Sequence, residues 1–297
     1  MAHLHVLAGS DASSTLPDVR KIAMSDLKDA LAKGIDDFRA FPTHVIILSI
    51  IYPIVGLVLA GLTLSYDVLP LLFPLAAGFA LVGPFAAIGF YELSRRRELG
   101  LDVSWRDAFG ARRSQSTDGI IALGLLLLFI FVLWIAVAQA IYIANFGYAP
   151  AVLIPDFLRQ VFTTRAGWML IIVGNGVGFL FAATVLTISI VSFPLLVDRD
   201  VGAVVAVLTS VRAVLKNPWT IAVWGLIVAA LLVAGSVPLF IGLAVVLPVL
   251  GHSSWHLYRK LVEPDPRPRP DEPSRPPRQR RYAAQFPAAL FAGEDRR

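Results

Sequence analysis

Polar and apolar residues are segregated along this chain, with long apolar runs standing between short charged stretches. Several runs exceed the roughly 18 to 20 residues that cross a hydrocarbon core about 30 Å thick at about 1.5 Å per residue. They lack the strict alternation of barrel strands and are rich in Leu, Val, Ile, Ala, Phe and Gly, so they predict helices. The pattern predicts an all-α, polytopic membrane bundle of six spans, over residues 44–65, 69–92, 118–144, 167–194, 218–235 and 238–259. The last two come from one apolar stretch, 220–250, divided at Gly235, Ser236, Val237 and Pro238 because about 30 residues overshoot one bilayer and Gly and Pro punctuate helices. One long tilted helix is the alternative there.

A second, amphipathic pattern precedes the odd-numbered spans. In SDLKDALAKGIDDFRAFP (25–42), Leu27, Leu31, Ile35 and Phe38 fall on one helical stripe with charges elsewhere. RDVGAVVAVLTSVRAVLKNP (199–218) carries the corresponding stripe Val201, Val204, Val205, Leu208, Val211 and Leu215. The shorter SWRDAFGARR (104–113) precedes the third span, with Ser104 and Asp107 spaced as a capping pair. The even-numbered spans repeat as well. VGPFAAIGFYELSRR (82–96) aligns without gaps on VLPVLGHSSWHLYRK (246–260), matching Pro84 with Pro248, Tyr91 with Trp255, Leu93 with Leu257, Arg95 with Arg259 and Arg96 with Lys260. The expectation is three related hairpins, each led in by a cytoplasmic amphipathic helix, with the middle one more diverged.

Composition sharpens this picture. The chain is 57% hydrophobic and 16% charged, with a mean hydropathy of +0.71, far more apolar than a soluble domain requires. All of its Lys and Arg residues except Arg159 and Arg165 fall on one side of the six-span arrangement, which places both termini in the cytoplasm. The absence of cysteine removes disulfides, thiolate metal sites and cysteine nucleophiles. No basic start and apolar core of a cleaved signal peptide is visible at the N-terminus, so residues 1–24 are expected to be a disordered leader. Residues 25–262 then form the transmembrane domain, and 263–297, with EPDPRPRPDEPSRPPRQRR, a disordered Pro/Arg-rich cytoplasmic tail. Anionic phospholipid headgroups are the expected contacts of Arg95, Arg96, Arg97, Arg259 and Lys260. Nucleic acid is not an expected partner.

Candidate chemistry gathers at the inner ends of the spans. His252 and His256, in GHSSWHLYRK, lie one helical turn apart, the spacing at which two imidazoles share a face and can present paired metal ligands. The repeat sets His256 opposite Glu92, and His44 begins the first span, so the four make a candidate polar cluster at the cytoplasmic interface. Zinc, iron or copper would suit such a set; interfacial polarity, with the side chains reaching water, headgroups or freed carbonyls, is the plainer account and the one expected. If the two even-numbered spans are equivalent, Glu92 and His256 pair. Deeper in the bilayer, Gly174, Asn175 and Gly178 suit close helix packing with an interhelical hydrogen bond. No phosphate loop, dinucleotide fingerprint, nucleophile elbow or zinc-protease motif occurs, so no catalytic residue is assigned.

PLAAGFALVGPFAAIGFYELSRRRELG (74–100) and PVLGHSSWHLYRKLV (248–262) resemble the bacterial integral-membrane family known as domain of unknown function 2189. The resemblance extends over about 27–262 and implies a multi-helix inner-membrane protein; some members carry the label of cytochrome c oxidase subunit I. A haem-copper catalytic subunit needs roughly six histidine ligands within the membrane. This chain has five histidines in all, His3 and His5 among them in the leader, so it is not that subunit by itself.

Three functions follow as expectations. The first is a non-catalytic accessory or assembly component of a membrane complex, respiratory if the label is a guide, with a membrane-protein partner and no cofactor. The second is a permease or channel for a small or amphiphilic solute. The third is a redox component holding haem or a transition metal at His44, His252 and His256.

Overall fold

A computed structural model describes residues 16–40, 54, 61, 74–75, 83–101, 103–104, 107–108, 116–148, 154–238 and 240–264. The first predicted span (44–65), residues 69–73 and 76–82 of the second, most of the short leader 104–113, His44 and the tail beyond 264 lie outside the described residues. Nine helices are described: α1 (Met24–Ala40), α2 (Gly83–Ala86), α3 (Ile88–Glu98), α4 (Thr117–Phe146), α5 (Ile154–Thr163), α6 (Arg165–Asp198), α7 (Ala203–Lys216), α8 (Pro218–Ser236) and α9 (Leu243–Leu261). Among the described residues there is no β-strand, only an antiparallel bridge between Val19 and Val262.

Among the described residues three helices are long and apolar enough to cross a membrane: α4, α6 and α8. They coincide with the third, fourth and fifth predicted spans. The second predicted span was expected to stop at 92, whereas α3 continues to Glu98. Its basic residues stay helical because each finds a carboxylate, as described below. The apolar stretch 220–250 is broken rather than continuous: α8 ends at Ser236 and α9 begins at Leu243. At the break Phe240 adopts a positive φ of 65°, and a Cβ built on Gly242 would lie 2.8 Å from the Gly235 Cα. Two glycines therefore let the chain reverse at this corner. Because 237–242 is taken up by the turn, α9 is shorter on its apolar side than the predicted sixth span and is not among the three.

α8 and α9 form an antiparallel hairpin whose two free ends meet the same extended segment. Asn217, before α8, accepts from the Ile22 N–H at 2.9 Å and donates to the Arg20 carbonyl at 3.0 Å. At the end of α9, the Leu261 carbonyl accepts from the Arg20 N–H at 2.8 Å, and Glu263 N–H donates to the Asp18 carbonyl at 3.0 Å. Residues 18–22, expected to belong to the leader, are thus pinned between the α7–α8 junction and the end of α9. Lys216 adds a bond to the Val19 carbonyl at 2.6 Å.

The core lies toward this end of the bundle. It is built from Leu123, Leu127 and Trp134 of α4, Val191, Phe193, Leu195 and Leu196 of α6, Trp224 of α8, and Trp255, Leu257 and Tyr258 of α9. α6, at 34 residues, is about 50 Å long. Its stretch near Pro194 is buried, whereas Trp168, Ile172, Phe179 and Leu180 toward its start are exposed. A second helix packs on α6 just before the proline. Ser210 of α7 donates its hydroxyl to the Thr187 carbonyl at 2.7 Å and accepts from the Val191 N–H at 3.2 Å, so one hydroxyl ties α7 to two backbone groups a turn apart on α6.

Both long amphipathic leaders form, as α1 and α7, but each buries a different face from its most apolar one. α1 buries Leu27, Ala30, Gly34 and Asp37, while Leu31, Ile35 and Phe38 are half-buried. α7 buries Ala203, Ala206, Thr209, Ser210 and Ala213 and leaves Val204, Leu208 and Leu215 exposed. Small residues decide these faces because they allow backbones to approach closely. A Cβ on Gly34 would stand 2.0 Å from Ser253 Oγ and 2.6 Å from its backbone nitrogen, so α1 crosses α9 almost backbone to backbone.

Candidate functional site

The crossing of α1, α3 and α9 encloses a polar cluster centred on Asp37, which is 4% exposed. α1 supplies Asp37 one turn beyond Gly34, α3 supplies Ser94 and Arg97, and α9 supplies His252 and His256. Ser94 donates its hydroxyl to Asp37 Oδ2 at 2.5 Å. His256 Nε2 meets the same oxygen at 2.9 Å, and Arg97 Nη1 donates to Oδ1. Ser94 Oγ also lies 2.7 Å from His252 Nδ1. Since the single hydroxyl proton goes to Asp37, His252 must donate from Nδ1 to Ser94 Oγ. That tautomer leaves His252 Nε2 as a bare acceptor; it is buried with no hydrogen-bond partner, and Phe90 stands in T-shaped contact with the ring, centroids 5.5 Å apart.

Burial alone would raise the Asp37 carboxyl, but the hydrogen bonds from His256 and Ser94 outweigh it and hold the group below the usual carboxylate range. The carboxylate is therefore ionised at neutral pH and saturated with donors. Such a cluster can clamp three helices together. It presents no nucleophile to solvent, because Ser94 is buried and its proton is committed to Asp37.

The predicted site residues are distributed differently from the expected cluster. His252 and His256 do come together, through Asp37 and Ser94 rather than through a shared ligand position. Glu92 does not pair with His256. Its carboxylate takes a bidentate pair from Arg95, Nε at 2.7 Å and Nη2 at 2.8 Å, with Arg96 at 3.8 Å. The i,i+3 arginine on the same helix reaches Glu92 first, and His256 finds its acid across the α1 crossing. Among the described residues no group of His, Asp and Glu is arranged to hold a metal ion; His44 is not among them.

Each residue of the triple arginine has its own acid: Arg95 with Glu92, Arg96 with Asp107 at 3.2 Å, and Arg97 with Asp37. Arg259 bonds Glu98 at 3.0 Å and approaches Asp198 at 3.7 Å. Lys260 joins Asp26 at 3.0 Å and Asp29 at 2.7 Å. Tyr258 donates to Asp198 at 2.7 Å and Trp255 Nε1 to Glu98 at 3.0 Å. The five basic residues expected at lipid headgroups thus form a layer of internal ion pairs. The spacing of Ser104 and Asp107 is realised, with the Asp107 carboxylate accepting from the Ser104 N–H at 2.9 Å.

The packing triplet on α6 divides. A Cβ on Gly178 would lie 3.0 Å from the Trp134 ring of α4, whereas one on Gly174 meets nothing within 4 Å. Asn175 is exposed and returns its amide to the Ile171 carbonyl of its own helix at 2.7 Å, so no interhelical bond forms there. Sequence reasoning missed Asp37, which counts among the charges of an amphipathic helix. Its signal was register: Leu27, Ala30, Gly34 and Asp37 lie at i, i+3, i+7 and i+10, one face of small residues ending in an acid.

Residues 72–198 match the model of a family described as predicted integral membrane protein (DUF2189). No curated protein and no solved structure matches the chain.

Proposed function

We propose that this chain is a six-span, non-catalytic accessory component of a bacterial inner-membrane complex, with both termini on the cytoplasmic side. The observation that carries the accessory role is the character of the spans. Only 28% of the most apolar 18-residue stretch of α4 and 22% of that of α8 is buried. Ionisable side chains in α4, α6 and α8 stand only at helix ends, as Asp118, Arg165 and Asp198. Uncovered apolar helices of this kind offer packing surface to lipid and to a neighbouring membrane protein, and they offer no mid-depth charge for ion-coupled transport.

The topology draws on the bonds between 18–22 and 261–263, which bring both ends of the described fold to one place and so favour an even number of crossings. Since α9 returns from the far end of α8 to that place, it is the natural return span. The three-hairpin repeat is supported by matched burial: Tyr91 and Trp255, like Leu93 and Leu257, are all buried.

Quantitative mass spectrometry of the full chain purified in mild detergent tests the accessory role. A membrane protein recovered at reproducible stoichiometry, and released when Leu125, Phe129 and Val132 on the exposed face of α4 are replaced by bulkier residues, is the expected result. A chain that purifies alone and transports solute in proteoliposomes overturns it. Transport is the second reading, favoured by the prolines inside two helices, Pro194 of α6 and Pro248 of α9.

A further inference from the structure

α7 joins the end of α6 to the start of α8, so both of its ends are held where two spans leave the bilayer. Its exposed face carries Leu208 (47% exposed) and Leu215 (74%), and Trp219 (81%) continues the line onto α8. The line runs on to Leu226 (70%) within the span, so the apolar face of α7 is continuous with surface that must meet lipid. Indole side chains are characteristic of the membrane interface.

Beside this stripe lies a shallow cleft of about 330 Å³ lined by Asp18, Val19, Arg212, Leu215 and Lys216. Arg212 and Lys216 are one turn apart on α7 and point to the same cleft. Lys216 spends one of its three N–H donors on the Val19 carbonyl. Arg212 makes no hydrogen bond or ion pair among the described residues, unlike the arginines of α3 and α9. Asp18 contributes its backbone carbonyl to Glu263 and is one of the residues that line the cleft.

We propose that this cleft is a phospholipid site: Arg212 and Lys216 bind the phosphodiester, Asp18 accepts a hydrogen bond from an ammonium or hydroxyl of the headgroup, and the acyl chains lie along Leu208, Leu215 and Trp219. Two cations beside one carboxylate match a headgroup that carries a phosphate and a donor, such as phosphatidylethanolamine or phosphatidylglycerol. Phosphatidylcholine has no such donor. The proposal rests on the membrane placement of α6 and α8 and is independent of the accessory role, since loss of a protein partner leaves the cleft intact.

Native mass spectrometry of the full chain, delipidated and titrated with phosphatidylethanolamine, phosphatidylglycerol or phosphatidylcholine, tests it. The expected result is preferential retention of one of the first two. Arg212→Glu should weaken retention by about tenfold or more while leaving the unfolding temperature of the lipid-free protein unchanged, because Arg212 bonds none of the described residues. Asp18→Asn should reduce the preference over phosphatidylcholine. Equal retention by wild type and Arg212→Glu overturns the site. Binding of inorganic phosphate as tight as that of the lipid overturns its assignment to lipid.

Discussion

Asp37 is a single carboxylate that takes donors from two other helices, and its ionisation state is the natural point at which to test the clamp. Its carboxyl titrates below the ordinary value of 3.8, where the hydrogen bonds from His256 and Ser94 overcome the opposing effect of burial. Two more acids of α1 are lowered in the same sense: Asp26 first by the Ala23 N–H and then by Lys260, and Asp29 first by Lys260. A carboxyl whose folded value lies below its unfolded one adds stability that is complete above the unfolded value and lost as pH falls through the folded value. Docking of α1 should therefore hold at neutral pH and weaken below pH 3.8. Hydrogen exchange over 24–40, corrected for intrinsic rates, should rise in acid ahead of the rest of the bundle. Asp37→Asn should cost about 1.5–3 kcal/mol at neutral pH and reduce that acid response to the part that Asp26 and Asp29 contribute. An unchanged acid profile in Asp37→Asn would place the titration elsewhere.

Between elements, the determining contacts are made by small residues. Gly34→Ala should destabilise the α1–α9 crossing by about 1–3 kcal/mol, because overpacking forces the two backbones apart. Ser253→Ala should not rescue it, since the Ser253 nitrogen at 2.6 Å and Cα at 2.8 Å remain in the way of the new Cβ. Gly174→Ala, with open space around it, should be neutral or gain up to about 1 kcal/mol from helix propensity. Unfolding of the three variants in detergent separates a packing glycine from a permissive one; equal behaviour at positions 34 and 174 would remove the backbone contact from the account. The same small-residue logic explains why α7 turns Ala206, Ser210 and Ala213 inward. Ser210 needs that approach to reach the Thr187 carbonyl and the Val191 N–H of α6, and the larger Val204, Leu208 and Leu215 are thereby left outside.

For the whole molecule, the absence of cysteine makes single-cysteine labelling a direct test of topology. Arg212→Cys and Glu263→Cys should react with an impermeant reagent only from the cytoplasmic side, and Gln160→Cys in α5 only from the other. Labelling of positions 160 and 263 from one side would mean an even number of crossings between them and exclude the six-span arrangement, which has three. Ion pairs add to this picture. Arg95, Arg96, Arg97, Arg259 and Lys260 pair with carboxylates, so their neutralisation should perturb folding, and under the proposed topology orientation as well.

Helix type, the positions of α4, α6 and α8, and the division of 220–250 were legible in the residues alone, because apolar run length and Gly/Pro punctuation are local properties set by bilayer thickness and backbone sterics. The clustering of basic residues was legible for the same reason. What only the tertiary structure decided was pairing. The Glu92–Arg95 pair has a local signal in its i,i+3 spacing, but nothing local says that His256 crosses to Asp37 rather than to Glu92. That choice depends on which faces lie against each other, and it was settled at Gly34 and Ser253, where two backbones approach closely enough to enclose a carboxylate that the sequence pattern assigns to solvent.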